Sequence, residues 1–274
     1  MKYELNSEAL ERAPTKYFRE IYLLNTTNTM TDCLVVGSRG AGKSIFSLKS
    51  PILISGIDTE MYEPFSVKKH VFFDIENLVK YALPRYDEDD LLFANVVFDD
   101  AGLNAGNREY MKRLNVVLGK LLECYREVQV NLWVNVPKAS LIDITVRKLV
   151  GYFAIVEKKL NINNHQVCEK KIVKIYRTNT KSKSFLDDFL FDFNKSYPSR
   201  IDKFEVAPLD KEIYEEYRKM KRRAHKELLK DELEGESKER ILLRKAINAM
   251  REFMTVSQIA KVLEIPRTSV YTYC

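Results

Sequence analysis

The sequence predicts an α/β fold, a largely parallel sheet flanked by helices, with a small all-α module behind it. Three observations carry that expectation. Residues 33–36 form a short apolar strand that runs into Gly37-Ser38-Arg39-Gly40-Ala41-Gly42-Lys43-Ser44, with a helical pattern after it. Residues 94–98 form a second apolar strand that stops at Asp99-Asp100. An amphipathic helix over residues 110–125 leads into a third strand over 128–134.

The first stretch meets G-x-x-x-x-G-K-[ST] at every fixed position. Glycines let the backbone wrap tightly, so that successive N–H groups point inward at phosphate oxygens. Lys43 is expected to reach the β- and γ-phosphates, and the Ser44 hydroxyl to bind Mg²⁺. The helix starting near Gly42 adds its positive end. This is the phosphate loop of P-loop NTPases, and it calls for ATP and Mg²⁺ as cofactors.

Composition sets the bounds. The 274 residues leave room for one large α/β domain and a small appendage, and 45% apolar residues support a core. No apolar run approaches a membrane span, and M-K-Y-E-L-N-S-E lacks a signal-peptide pattern, so a cytoplasmic protein is expected. Cys33, Cys124, Cys168 and Cys274 are scattered, which argues against structural zinc and against a disulfide framework. A net charge of +6 permits a nucleic-acid partner.

Taken in order, residues 9–22 carry a helical pattern and T-T-N-T-M-T-D leads into the first strand. Pro51 is expected to stop the helix that follows Ser44. Residues 71–73 read as a strand and 75–83 as a helix ended by Pro84, with no role assigned to residues 52–90.

The strand ending at Asp99 has the Walker B pattern, in which the acid holds Mg²⁺ through water. Asp100 stands where many P-loop ATPases place the glutamate that activates the attacking water. It is one methylene shorter. D-D-A-G also fits the D-x-x-G of GTPases, but no N-K-x-D guanine-reading motif follows.

In the helix, Met111, Leu114, Leu118, Leu121, Leu122 and Tyr125 recur at core spacing. The next strand delivers Asn135 just before Val136-Pro137. A polar residue at that tip, beside the loop strand, can sense the γ-phosphate or the attacking water. I-D-I-T-V-R over 142–147 precedes a strand over 149–157, and residues 156–161 and 167–177 read as a hairpin around Asn163-Asn164. The alternating lysines of the hairpin read as a solvated face, with nucleic-acid contact as the alternative.

This order of parts resembles the FtsK–HerA superfamily of P-loop ATPases, especially the zonula-occludens-toxin-like and small packaging ATPases of viruses and plasmids. The resemblance covers roughly residues 30–220. It implies an additional-strand fold and a ring-forming DNA motor. It also implies roles for Lys43, Ser44, Asp99, Asp100 and Asn135 in the site, and for Arg126 and Arg147 as arginines reaching a neighbour's nucleotide. Asp100 departs from the usual Glu, and Asn135 from a Gln common at the sensor.

The aromatic stretch at 185–193 closes a first domain of residues 1–208. Residues 209–236 are expected to form a charged linker helix broken at Gly235, with a basic patch over 219–223. Residues 237–274 read as a helix-turn-helix. A helix over 238–254 is followed by the T-x-x-Q capping box of Thr255 and Gln258, then by Ala260, Ile265 and Val270 at the spacing of a helix crossing. Arg267, Thr268, Ser269, Tyr271 and Thr272 are the expected groove contacts. Glu264 stands where such turns often carry Gly.

The expectation is an ATPase acting on double-stranded DNA, as a translocating or packaging motor of a virus or plasmid. It would work as a homo-oligomeric ring, such as a hexamer, in the host cytoplasm. A replication initiator or helicase loader, and an ATP-responsive regulator, are the alternatives.

Overall fold

The structure, a computed structural model, describes residues 6–88, 91–99, 108–161, 166–177, 200–251 and 254–262. Two compact units divide the chain, residues 1–217 and 218–274.

Unit 1 is the α/β body. Its chain opens with α1 (Ser7–Arg12) and α2 (Lys16–Thr26), then β1 (Asp32–Val36), α3 (Lys43–Ser55), α4 (Val67–His70) and β2 (Val71–Phe72). Next come α5 (Ile75–Ala82), a 3-10 turn at Leu83–Tyr86, β3 (Ala94–Phe98), α6 (Arg108–Val128) and β4 (Val130–Val136). A 3-10 turn (Ala139–Leu141), α7 (Ile144–Leu149), β5 (Tyr152–Asn161), β6 (Gln166–Arg177) and β7 (Arg200–Val206) complete the sheet. Helix α8 (Lys211–Arg251) leaves unit 1 after its first two turns.

Among the described residues seven strands form one sheet, in the order β2-β3-β4-β1-β5-β6-β7. The first five are parallel, and β6 and β7 add antiparallel at the β5 edge. Strand β4 lies between β1 and β3, the expected additional-strand arrangement of a P-loop NTPase fold. Every residue of β3 and β4 is buried, because helices cover both faces of a parallel sheet.

Period-2 alternation sorts these strands between two cores. Leu34, Val96, Phe98, Leu132, Val134 and Val136 pack with Leu78 of α5, Leu114 and Leu118 of α6 and Val146 of α7. The odd-numbered residues of β3 and β4 meet the other layer: Trp133 donates to the Tyr17 hydroxyl of α2 at 3.1 Å, and Asn95 to Ser55 of α3 at 3.0 Å. Asn95, Asn131 and Asn25 are fully covered, and each amide is satisfied. Asn131 donates to Asn25 and Asn95 at 3.0 Å each and accepts from the Thr31 N–H at 2.9 Å. Asp99 and Asn135 belong to this same odd row. That is why both face α3.

The expected strands over 128–134 and 149–157 start later, at Val130 and Tyr152, because α6 and α7 run on to Val128 and Leu149, and the helices differ from expectation in three places. The N-terminal helix is two, because Pro14 forces Ala13 into extended backbone (φ −67°, ψ 118°). Pro51 does not stop α3; it is buried inside the helix with Phe46, Leu48 and Ile54, and packing outweighs the missing N–H. Gly235 does not break α8, which runs 41 residues as one helix. The hairpin turn at Asn163-Asn164 and the stretch at 185–193 lie outside the described residues.

In unit 2, α9 (Val256–Val262) follows the expected capping box. Gln258 Oε1 accepts from both the N–H and the hydroxyl of Thr255 at 2.9 Å. Ile247, Ile259 and Ala260 form a small core with Met250 and Val256 against it. Ile265, Val270 and the rest of the expected helix-turn-helix lie outside the described residues.

Candidate nucleotide site

The loop between β1 and α3 is built by backbone geometry. Gly42, the N-cap of α3, has φ 106°, and Gly40 has φ 73°. Left-handed residues at these positions curl the chain, the backbone pattern from which anion nests are built. Gly37 has a different reason to be glycine. A methyl there would stand 2.5 Å from the carbonyl oxygen of Val156, so β5 passes directly against the start of the loop. Ala41, at the centre, is fully buried, while Ser38, Arg39 and Gly40 are exposed.

Lys43 folds back over the loop. Its Nζ donates to the carbonyl oxygens of Gly37 at 2.7 Å and Ser38 at 3.2 Å. These are neutral acceptors on an exposed rim, and a phosphate oxygen would compete well for the ammonium.

At the second residue of α3, the Ser44 hydroxyl donates to both carboxylate oxygens of Asp99, at 3.1 and 3.3 Å. The two metal-binding residues expected from sequence therefore meet, although 55 positions separate them. The loop strand and the acid strand are not neighbours; β4 stands between and supplies Asn135. That amide donates to Asp99 Oδ1 at 2.7 Å and accepts from the Ser47 hydroxyl at 2.5 Å. Asn135 is fully buried, so its side chain orients the carboxylate. A fourth group closes the cluster: the Tyr217 hydroxyl of α8 donates to Asp99 Oδ2. Asp99 is 1% exposed, and its negative charge is tolerated because Ser44, Asn135 and Tyr217 all donate to it.

Sequence reasoning missed Ser47 and Tyr217. Ser47 shares a helix face with Ser44, three residues earlier. Tyr217 follows Tyr214 at i+3 on an otherwise charged helix, an aromatic pair that asks for a covered surface. Lys49 holds the chain entering α8, donating to the carbonyls of Ala207 at 3.2 Å and Pro208 at 3.0 Å. Phe73 then lies 6.1 Å from Tyr217, ring centre to ring centre.

The remaining expected residues fall elsewhere. Arg147 is on α7 and 8% exposed. Arg126 is on the last turns of α6, with its side chain outside the described residues. Asp100, Arg267, Thr268, Ser269, Tyr271 and Thr272 also lie outside them. Among the described residues, no three His, Cys, Asp or Glu side chains gather as a metal site. No described helix is long and apolar enough to cross a membrane.

No family model and no curated protein matches the chain. Among solved structures, the chain is similar to the N-terminal domain of zonular occludens toxin from Neisseria meningitidis. That match has 16% identity and a TM-score of 0.35, and covers 68% of this chain and 97% of the other. It is also similar to a KaiC-like protein from the hyperthermophilic archaeon Pyrococcus horikoshii, at 15% identity and a TM-score of 0.34, over 54% of this chain and 79% of the other.

Proposed function

We propose that this chain hydrolyses ATP and uses the cycle to act on double-stranded DNA, as a ring-forming translocase or packaging motor. The observation that supports the ATPase reading best is the Ser44–Asp99 pair at the mouth of a glycine-turned loop. A hydroxyl and a carboxylate 3.1 Å apart suit a hard cation held between protein and phosphate.

In this reading the loop N–H groups bind the phosphates. Lys43, which donates to the Gly37 and Ser38 carbonyls, would bind the β- and γ-phosphate oxygens. Ser44 and Asp99 would hold Mg²⁺, with Asn135 fixing the carboxylate by its hydrogen bond. When bound, ATP–Mg²⁺ supplies the transferable phosphoryl group and the charge that offsets its negative oxygens. Asp100, next in the chain, is the candidate base for the attacking water. Arg126 and Arg147 are the candidates for contact with a neighbouring subunit's nucleotide. The net charge of +6 and the capped α9 support a DNA partner, which the groove contacts Arg267, Thr268, Ser269, Tyr271 and Thr272 would serve.

The test is the ATPase rate with and without double-stranded DNA, alongside the size of the assembly with ATP. Stimulation by DNA, with assembly into a ring, is expected. Footprinting at one defined site with no stimulation would favour a regulator instead. Mixing Arg147→Ala with Lys43→Ala protein should restore some activity if the arginine acts between subunits.

A further inference from the structure

Strand β5 outruns its neighbour. Ile155 pairs with Val36, the last residue of β1, and β5 continues for six more residues beside the phosphate loop. Val156 meets Gly37 there. Two residues on, with the same side-chain direction, comes Lys158. A methyl at Gly40 would stand 3.6 Å from Lys158 Nζ and 3.7 Å from its Cε, so the ammonium lies over the loop. Lys171 of β6 is directly opposite Lys158 in the register, and its stem covers the loop further on: a methyl at Gly42 would stand 2.6 Å from its Cγ and 3.3 Å from its Cδ.

We propose that Lys158 and Lys171 form a second cationic wall of the phosphate site, which grips the nucleotide's phosphate chain independently of the metal. The proposal deepens the ATP-binding reading and rests on it. Like charges directly across a strand pair repel each other, and an anion between them reverses the sign of that arrangement. Lysine suits the task as a compact point charge on a flexible stem. The placement divides the labour. Asp99 and Asn135 approach the loop from the β3 and β4 side of β1, whereas the lysines approach from the β5 side. One wall works through Mg²⁺ and the other through ammonium groups.

Binding that needs no metal is the readout. A fluorescent ATP analogue is titrated into the full chain in EDTA and again in Mg²⁺, at two salt concentrations. The proteins are the parent, Lys158→Ala, Lys158→Arg and Lys171→Met, the last keeping an unbranched stem over Gly42. In EDTA, Lys158→Ala and Lys171→Met should each bind about tenfold more weakly. Lys158→Arg should recover most of the loss, and the parent's advantage should shrink as salt rises. Thermal melting of each protein without nucleotide checks the fold; Lys158 is exposed, so its variants should melt with the parent. Parental binding matched within twofold by every variant in EDTA overturns the second wall and leaves the ATP reading standing. A parent that binds no analogue with or without Mg²⁺ overturns both.

Discussion

Tyr217 donates its hydroxyl to Asp99, so the carboxylate expected to hold Mg²⁺ is tied to the first turns of α8. Both groups are almost fully covered, at 3% and 1% exposure, and water cannot replace the bond cheaply. Tyr217→Phe keeps the ring against Phe73 and deletes the hydroxyl alone. Removing a donor to a buried carboxylate should cost about 1.5–3 kcal/mol, a fall in Tm of roughly 3–10 °C for a body of this size. A variant that melts with the parent would mean the bond contributes nothing.

Lys43→Ala should reduce turnover by about a hundredfold or more while leaving the melting temperature near the parent's. The side chain donates to the loop carbonyls of Gly37 and Ser38. Unchanged ATP hydrolysis would remove the ATPase reading altogether.

The two acids should separate. Asp99→Asn should weaken Mg²⁺-dependent nucleotide binding, because charge is lost where Ser44, Asn135 and Tyr217 converge. Asp100→Asn should bind nucleotide nearly as the parent does and hydrolyse about a hundredfold more slowly, since it removes the candidate base. Equilibrium binding and single-turnover hydrolysis on the same samples distinguish them. Parental hydrolysis in Asp100→Asn places the base elsewhere.

Gly37→Ala and Gly119→Ala should move stability in opposite directions. The first drives a methyl to 2.5 Å from the backbone oxygen of Val156, which has no free rotor to turn away. A loss of about 2 kcal/mol or more is expected. The second adds a methyl inside α6, where the nearest atom outside the helix is Val146 Cγ2 at 3.6 Å, an ordinary contact. It should leave stability unchanged or raise it by up to about 1 kcal/mol. Denaturant titration reads both, and a Gly37→Ala as stable as the parent would refute the close approach of β5.

Asp32, at the start of β1, titrates against stability. Its carboxylate accepts the Gly151 N–H, yet burial pushes its pKa from 3.8 up to about 6. The folded chain thus holds the proton more tightly than the unfolded one. Stability is lost as pH rises from about 4 through 6, and the full cost is present above that. Asp32→Asn keeps an acceptor for Gly151 and removes the charge. It should be more stable than the parent by roughly 1–2 kcal/mol at pH 8, since the residue as a whole stays partly exposed, with the gap closing towards pH 4. A gap independent of pH would exclude this titration.

Much of the site was legible because its parts are local. Loop, acid and sensor each sit at the end of an apolar strand, and a phosphate loop needs its glycines, Lys43 and Ser44 at set spacing within one short stretch. Parallel strands end at one edge of a sheet, so Ser44, Asp99 and Asn135 were bound to come near one another. The helix boundaries at Pro51 and Gly235 misled for the opposite reason. Proline and glycine set only local propensities of about 1–3 kcal/mol, and at Pro51 burial of the α3 face exceeds them.

By itself, then, the sequence determined the fold class and the placement of the glycine-rich loop, Asp99 and Asn135 at strand ends, since periodicity and motif spacing act within a few residues. Tertiary structure alone decided which side chains touch Asp99, why position 37 must lack a Cβ, and which lysines stand over the loop. The Tyr217–Asp99 bond, the approach of Val156 to Gly37 and the lysines over the loop each join segments more than a hundred residues apart. The length by which β5 outruns β1 follows from the packing of whole layers and from no local pattern.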